Sequence, residues 1–316
     1  MNRKLVLILF LSAIIMPMRA QFGFGGQQKE VVNMHCSKKI ADVNYADDGQ
    51  VYHTMDIYLP EKKAKKYPVV IHIYGSAWFN NNGKGNADLG TVCSALLNAG
   101  YAVVCPNHRS SGDAHWPAQI HDIKAVARYL RGNAGKYRLD SDFIAVSGFS
   151  SGGHLASLMG ATSGTKAAVV GDYKIDLEGN VGNCTGESSS VNAVVSWSGP
   201  IDVEAMDCGG RPNGVKGSPE EALVGKPFSE ETYGQYASVS SPYYANAGDP
   251  PLLGFHGTAD KVVPYCQAES WAKKYRAAGA QFEFVTVEGG VHGGNMYSEE
   301  NLARMIEFLN KQLNLK

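Results

Sequence analysis

The sequence carries no strong excess of either charge: 29 basic residues stand against 30 acidic ones, which leaves −1 with the histidines neutral. Nucleic-acid binding draws most of its affinity from Lys and Arg set against phosphates, so this balance argues against that class. Long apolar stretches are also scarce. The run at residues 5–15 falls short of the roughly 20 residues that a transmembrane helix needs. Metal-ligand spacing is missing as well. His35, His53, His72, His108, His115 and His121 have no cysteine or carboxylate at zinc-site intervals, and His115 and His121 do not stack on one helix face. Gly83-Lys84-Gly85 does not complete a phosphate-binding loop. No repeat and no flexible linker divides the chain. Neither a metal nor an organic cofactor is expected.

Arg3 and Lys4 precede the apolar run, and the segment closes on Met18-Arg19-Ala20. This is the layout of a secretory signal peptide, so residues 1–20 are expected to be removed on export to the periplasm or beyond. Losing Arg3, Lys4 and Arg19 and no acidic residue takes the formal charge from −1 to −4. Residues 21–30 open with Gly- and Gln-rich QFGFGGQQ, which has no periodicity and is expected to form a flexible arm. Six cysteines remain in the mature part. Cys93 and Cys105 fall in apolar stretches and read as buried thiols, whereas Cys184 and Cys208 flank a segment rich in Gly, Ser and Asn that a disulfide between them can pin. The connectivity of the six stays open.

The full chain is 44% hydrophobic, and its remaining residues 31–316 have enough apolar material for one sizeable core. Short apolar, β-branched runs at 69–74, 101–105, 143–147, 191–198, 252–256 and 282–287 read as strands. Helical patterns lie between them. The clearest spans 117–131, with Ile120, Ile123, Val126, Ala127 and Leu130 on one stripe and Pro117 at its first turn. Such alternation predicts an α/β fold with a mostly parallel sheet covered on both faces, whose ligands bind beyond the carboxyl ends of the strands. The stretch 199–249 breaks the alternation, being rich in Gly, Ser, Pro and Tyr. A connection of that length is expected to act as a lid or binding loop near the site.

The chemistry-bearing signal is Gly148-Phe149-Ser150-Ser151-Gly152, directly after one predicted strand and before a helical run. In this nucleophile-elbow pattern the glycines permit a tight turn that holds the serine hydroxyl outward. A serine needs a base, and the base needs an orienting carboxylate. In chain order the candidates are Asp260, just past the strand at 252–256, and His292, just past the strand at 282–287. Ser150, Asp260 and His292 therefore converge on one sheet edge as candidate nucleophile, acid and base. For the oxyanion of an acyl-transfer intermediate, the expected donors are the backbone N–H groups of Ser151, Ser76 and Ala77. Trp78 is the candidate substrate contact. His154, Trp116 and Trp197 fit pocket walls or core packing equally well, while helix and turn roles suffice for Asp122 and Asp202.

These segments resemble the α/β-hydrolases, and within them the bacterial carbohydrate esterases of the feruloyl and acetyl-xylan esterase kind. The likeness rests on Tyr74-Gly75-Ser76-Ala77-Trp78, Asn107-His108-Arg109, FSSGGHLA from Phe149, Ser218-Pro219-Glu220, Ser241-Pro242, PPLLGFHGTADKVVP from Pro250, and the glycines around His292, in the family's order. It implies Ser150 as nucleophile, Asp260 as acid, His292 as base, and an acetyl or feruloyl ester of a plant polysaccharide or oligosaccharide as substrate. One departure stands out: the family's usual His-Gly-Gly-Gly-Trp is here Tyr74-Gly75-Ser76-Ala77-Trp78, which puts two side chains where glycines are usual. Backbone donors survive the change, but the side chains can narrow the acyl pocket. Two other readings share the fold. One is a serine peptidase of the prolyl-oligopeptidase kind, which usually carries a propeller domain that the mature chain has no room for. The other is a non-catalytic hydrolase fold used as a binding module, which normally lacks a triad member.

Overall fold

The computed structural model describes residues 34–210 and 212–315. The expected export signal, residues 1–20, and the whole of the expected flexible arm, residues 21–30, lie outside the described residues. In chain order the elements are β1 (Lys38–Asn44), β2 (Thr54–Leu59), β3 (Tyr67–Ile73), α1 (Ser94–Asn98), β4 (Ala102–Pro106), α2 (Ala118–Gly132), α3 (Ala134–Tyr137), β5 (Leu139–Phe149) and α4 (Ser151–Ala161). They continue with β6 (Ala167–Val170), β7 (Tyr173–Asp176), β8 (Val194–Trp197), α5 (Pro219–Val224), α6 (Tyr233–Ser238), β9 (Leu252–Gly257), α7 (Cys266–Ala277), β10 (Phe282–Val287) and α8 (Glu299–Asn314). Eight strands form one sheet in the order β1-β2-β4-β3-β5-β8-β9-β10, and β6 and β7 form a separate hairpin. β2 runs antiparallel to both neighbours, while β4, β3, β5, β8, β9 and β10 pair in parallel.

Successive strand residues point to opposite faces, so a strand covered on both sides must be apolar throughout. β3 shows this directly. Val69, Ile71 and Ile73 join Val146, Val194, Ile120, Ile123, Leu155 and Trp271 in one buried cluster. Val70 points the other way and packs with Val103, Ala145, Val195, Phe255, Leu96, Met305 and Phe308. Helices α2, α4 and α7 thus cover one face, and α1 and α8 cover the other. The stripe expected on α2 is buried as read, with Ile120, Ile123, Val126 and Leu130 inaccessible. Each such side chain contributes on the order of 1.5–3 kcal/mol by leaving water. α8 starts where Ser298 caps it, accepting the Asn301 N–H at 3.2 Å, with Glu299 and Glu300 in the first turn, where the helix dipole favours acidic groups.

The strand runs expected from the sequence all appear, 282–287 with the bounds expected and the others with shifted ends. β1, β2 and the β6–β7 hairpin were not legible, because their patterns are mixed. β1 is mostly exposed, and β2 buries a carboxylate, Asp56, which Lys84 and Lys39 neutralise at 2.7 and 2.9 Å.

The 199–249 segment is folded into the molecule, for Ile201, Val203, Leu223, Tyr236 and Val239 belong to the same buried cluster as β3 and α2. Ser218 caps α5 by accepting the Glu221 N–H, Pro219 takes the first turn, and Gly225 ends the helix at φ 86°. Asp202, buried, holds Lys274 of α7 at 2.5 Å.

The suggested Cys184–Cys208 bridge is corrected. Cys208 pairs with Cys266 at the start of α7, across a sequence separation of 58. Cys184 is a free thiol whose sulfur lies beside Gly132 and Asn133 at the end of α2, away from Cys208. Cys93 and Cys105 are buried free thiols, as expected, with sulfurs 3.8 Å apart. The bridge closes a loop that contains most of the 199–249 segment, and a loop of this size removes about 4 kcal/mol of unfolded-chain entropy. Cys208→Ser is therefore expected to lower the unfolding free energy by about 2–4 kcal/mol in denaturant titration. An unchanged midpoint would mean that packing alone holds the segment.

Candidate active site

Ser150 stands at the turn between β5 and α4 with φ 55° and ψ −123°. A non-glycine residue held there costs on the order of 1–3 kcal/mol, which surrounding structure must impose. The imposing contacts are backbone to backbone. A Cβ at Gly152 would stand 2.1 Å from the Ile73 carbonyl oxygen, and one at Gly148 would stand 2.3 Å from that of Gly152. Neither position accepts a side chain, so both elbow glycines are required by space alone. The Ser150 N–H donates to the Trp197 carbonyl at 2.8 Å, tying the turn to β8.

The loops after β9 and β10 are brought together in a similar way. A Cβ at Gly257 would meet the Gly290 carbonyl at 2.2 Å, and the Ala259 N–H donates to that same carbonyl at 2.9 Å. This contact sets Asp260 beside His292. Asp260 Oδ2 accepts from His292 Nδ1 at 2.8 Å, and His292 Nε2 lies 2.9 Å from Ser150 Oγ. The other Asp260 oxygen accepts the N–H groups of Val262 and Val263, both at 2.9 Å. Burial pushes the Asp260 pKa up, but His292 and the two N–H groups outweigh it and hold the carboxyl below its ordinary value. An ionised carboxylate only accepts, so Nδ1 carries the imidazole proton. In the neutral ring, Nε2 is then the acceptor for the Ser150 hydroxyl. Ser150 is 8% exposed.

The three residues expected as nucleophile, acid and base thus form one hydrogen-bonded array, contributed by the carboxyl ends of β5, β9 and β10. The loop after β3 runs against the elbow: a Cβ on Gly75 would fall 2.8 Å from the Ser150 Cβ. In that loop Ala77 and Trp78 both adopt left-handed backbone, at φ 50° and 60°. The expected oxyanion donors are not equivalent. The Ser76 N–H donates to Ser151 Oγ at 2.9 Å, whereas the Ser151 N–H, in the first turn of α4, has no intrahelical acceptor. No acceptor for the Ala77 N–H occurs among the described residues.

Trp78 departs from its expected role. It is 2% exposed and belongs to the core, and its indole N–H donates to His154 Nδ1 at 3.3 Å. A substrate meets little of it. Trp197 is likewise in the core, stacked on Phe255 at 4.0 Å, and Trp116 binds Ser238 Oγ through its indole N–H at 3.0 Å. Sequence reasoning missed the part played by His154. Its Nε2 must donate to the Val239 carbonyl, at 2.7 Å, so its Nδ1 is free to accept from Trp78. His154 on α4 therefore joins the loop after β3 to the segment 199–249. Asp122 does more than a helix role requires: buried on α2, it takes a bidentate hold from Arg109, with contacts at 2.6 to 3.1 Å, and a further contact from His53 at 3.2 Å.

The sheet, the elbow and the Ser-His-Asp array at the strand ends define an α/β-hydrolase. Within that superfamily the chain belongs to the BD-FAE family, which it matches over residues 55–275. It is similar to a truncated form of a carbohydrate esterase from gut microbiota, 42% identical with a TM-score of 0.85, over 88% of this chain and 97% of that one. It also resembles a bifunctional GH43-CE protein of Bacteroides eggerthii, 44% identical with a TM-score of 0.83, over 90% of this chain and 36% of that one. Among curated proteins, the esterase LipC of Mycobacterium tuberculosis is 29% identical over 266 residues, which cover 79% of this chain and 59% of LipC. The chain spans little more than half the length of the curated relatives it matches.

His154 yields a stability prediction. Burial drives its pKa down from 6.5 to about 4, against the raising effect of the bond to Val239. The folded state therefore binds fewer protons here than the unfolded state between those values, and stability falls as pH drops from 6.5 towards 4. The loss attributable to this ring is on the order of 3 kcal/mol. Denaturant titrations at pH 7 and pH 4.5 should show a smaller acid loss in His154→Gln than in the parent; equal losses would remove His154 from the account.

Proposed function

We propose that the chain is a serine carboxylic ester hydrolase that acts by acyl transfer. One observation carries the reading: Ser150 Oγ, His292 and Asp260 lie in a single hydrogen-bonded line with steps of 2.9 and 2.8 Å. In this reading His292 Nε2 takes the Ser150 proton as the hydroxyl oxygen attacks an ester carbonyl, and the imidazolium returns the proton to the departing alcohol. Water, deprotonated by the same nitrogen, then cleaves the acyl-enzyme. Asp260 holds the Nδ1–H tautomer and stabilises the imidazolium. The N–H groups of Ala77 and Ser151 face the developing oxyanion. The cycle needs no metal and no organic cofactor.

The alcohol side of the substrate is a sugar of a plant polysaccharide or oligosaccharide, and the acyl group is acetyl or feruloyl. The likeness to carbohydrate esterases supports the sugar; export of the mature chain, directed by residues 1–20, belongs to the same reading and would bring it to a polymer that stays outside the cytoplasm. N-terminal sequencing of the exported protein tests the cleavage at Ala20.

Ser150→Ala should abolish hydrolysis of acetylated xylan, methyl ferulate and nitrophenyl acetate, with a loss of at least about 10³-fold and an unchanged thermal midpoint. Labelling of a different serine by an organophosphonate would refute the assignment. Asp260→Asn keeps the shape of the acid but favours the wrong imidazole tautomer, so turnover should fall by about 10²- to 10⁴-fold with KM little changed. Near-parental turnover would reduce Asp260 to a turn cap.

A further inference from the structure

The Ser76 N–H points at a partner other than substrate. Ser151 Oγ stands 2.9 Å from the Ser76 nitrogen and occupies the hydrogen-bonding position that a substrate oxygen would need in order to use that N–H. Ser151 is 1% exposed and directly follows Ser150. A hydroxyl has one proton to give and two lone pairs to accept with. Here one lone pair is engaged by Ser76, and no acceptor for the hydroxyl proton occurs among the described residues. Accepting a hydrogen bond also polarises an O–H and makes it a better donor.

The loop that presents Ser76 is firmly held. Ala77 and Trp78 are fixed in left-handed backbone, the Ser111 N–H donates to the Trp78 carbonyl at 2.8 Å, and the Trp78 indole is tied to His154. The Ser76 N–H therefore cannot swing past Ser151 Oγ towards a substrate without disturbing anchored groups.

We propose that the Ser151 side chain is itself an oxyanion donor, with its O–H relaying the Ser76 N–H to the developing negative oxygen beside the Ser150 adduct. The hole is then built from two backbone N–H groups, of Ala77 and Ser151, and one side-chain hydroxyl. Ser151 keeps its proton throughout: it donates a hydrogen bond that shortens as charge builds on the carbonyl oxygen and lengthens as the tetrahedral adduct collapses. This rests on the reading of Ser150 as nucleophile.

The test uses the purified full chain and Ser151→Ala, which removes one oxygen from a buried site and keeps the backbone N–H. A donor that acts mainly in the transition state predicts a fall in kcat of between 10- and 10³-fold on nitrophenyl acetate, with KM little changed. Phenylboronic acid, which adds to the nucleophile and places an anionic oxygen in the hole, should bind more weakly in the same proportion. Parental or raised kcat would overturn the proposal, since the hydroxyl would then be a plug that hides a better donor. A raised KM or lowered thermal midpoint at parental kcat would overturn it too, and would leave Ser151 a packing residue. The Ser150→Ala variant separates the two levels: if it retains activity the nucleophile assignment fails, whereas loss of activity there with parental Ser151→Ala rejects only the relay.

Discussion

The site depends on one close backbone approach, where Gly152 of the nucleophile turn passes the Ile73 carbonyl at the end of β3. With a Cβ excluded at 2.1 Å, any side chain at 152 would lever α4 away from the sheet. Two neighbouring parallel strands, β3 and β5, paired through Ile73 and Gly148, deliver their following loops to the same point. One loop brings Ser150 and the other brings Ser76 and Ala77. Strained backbone persists at Ser150 because the contacts around it are backbone contacts, and at Ala77 and Trp78 because the Ser111 N–H and the His154 ring anchor the loop.

A second close approach, Gly257 against Gly290, does for Asp260 and His292 what the first does for Ser150. Asp260 and His292 come from loops with no sequence proximity, and their relative placement follows from the close passage of Gly257 by Gly290, whose carbonyl accepts the Ala259 N–H. Burial makes an isolated carboxylate costly. Asp260 stays ionised because two N–H groups and the His292 proton compensate it. Elsewhere the same rule is satisfied by ion pairs, Asp122 with Arg109 and Asp202 with Lys274.

His154 gives α4 a second duty. From the helix that follows Ser150 it reaches the Trp78 indole with one nitrogen and the Val239 carbonyl with the other. The 199–249 segment and the loop after β3 are thereby joined through a neutral ring. Where the family's usual motif has glycines, Ser76 and Ala77 occupy this anchored loop, and the Ser76 N–H is turned onto Ser151.

Local patterns settled much of this in advance. The alternation of apolar runs and amphipathic stretches dictated a parallel sheet with two covered faces, because only residues such as Val69 and Val70, apolar on both sides, suit such strands. Gly148-Phe149-Ser150-Ser151-Gly152 fixed a strand-to-helix turn with an outward serine, and the strand-end positions of Asp260 and His292 named the partners. Other features depended on which surfaces meet. Trp78 has the chemistry of a substrate contact, yet it is packed into the core, where His154 accepts from its indole N–H. Cys208 lies nearer in sequence to Cys184, but it pairs with Cys266 because the 199–249 segment folds against α7. Sequence determines what a short segment can do by itself, such as turn, strand or helix. The partners of Ser76, Trp78, His154 and Cys208 were decided by tertiary structure, since each lies dozens of residues away and is selected by packing and hydrogen-bond supply, which no local pattern encodes.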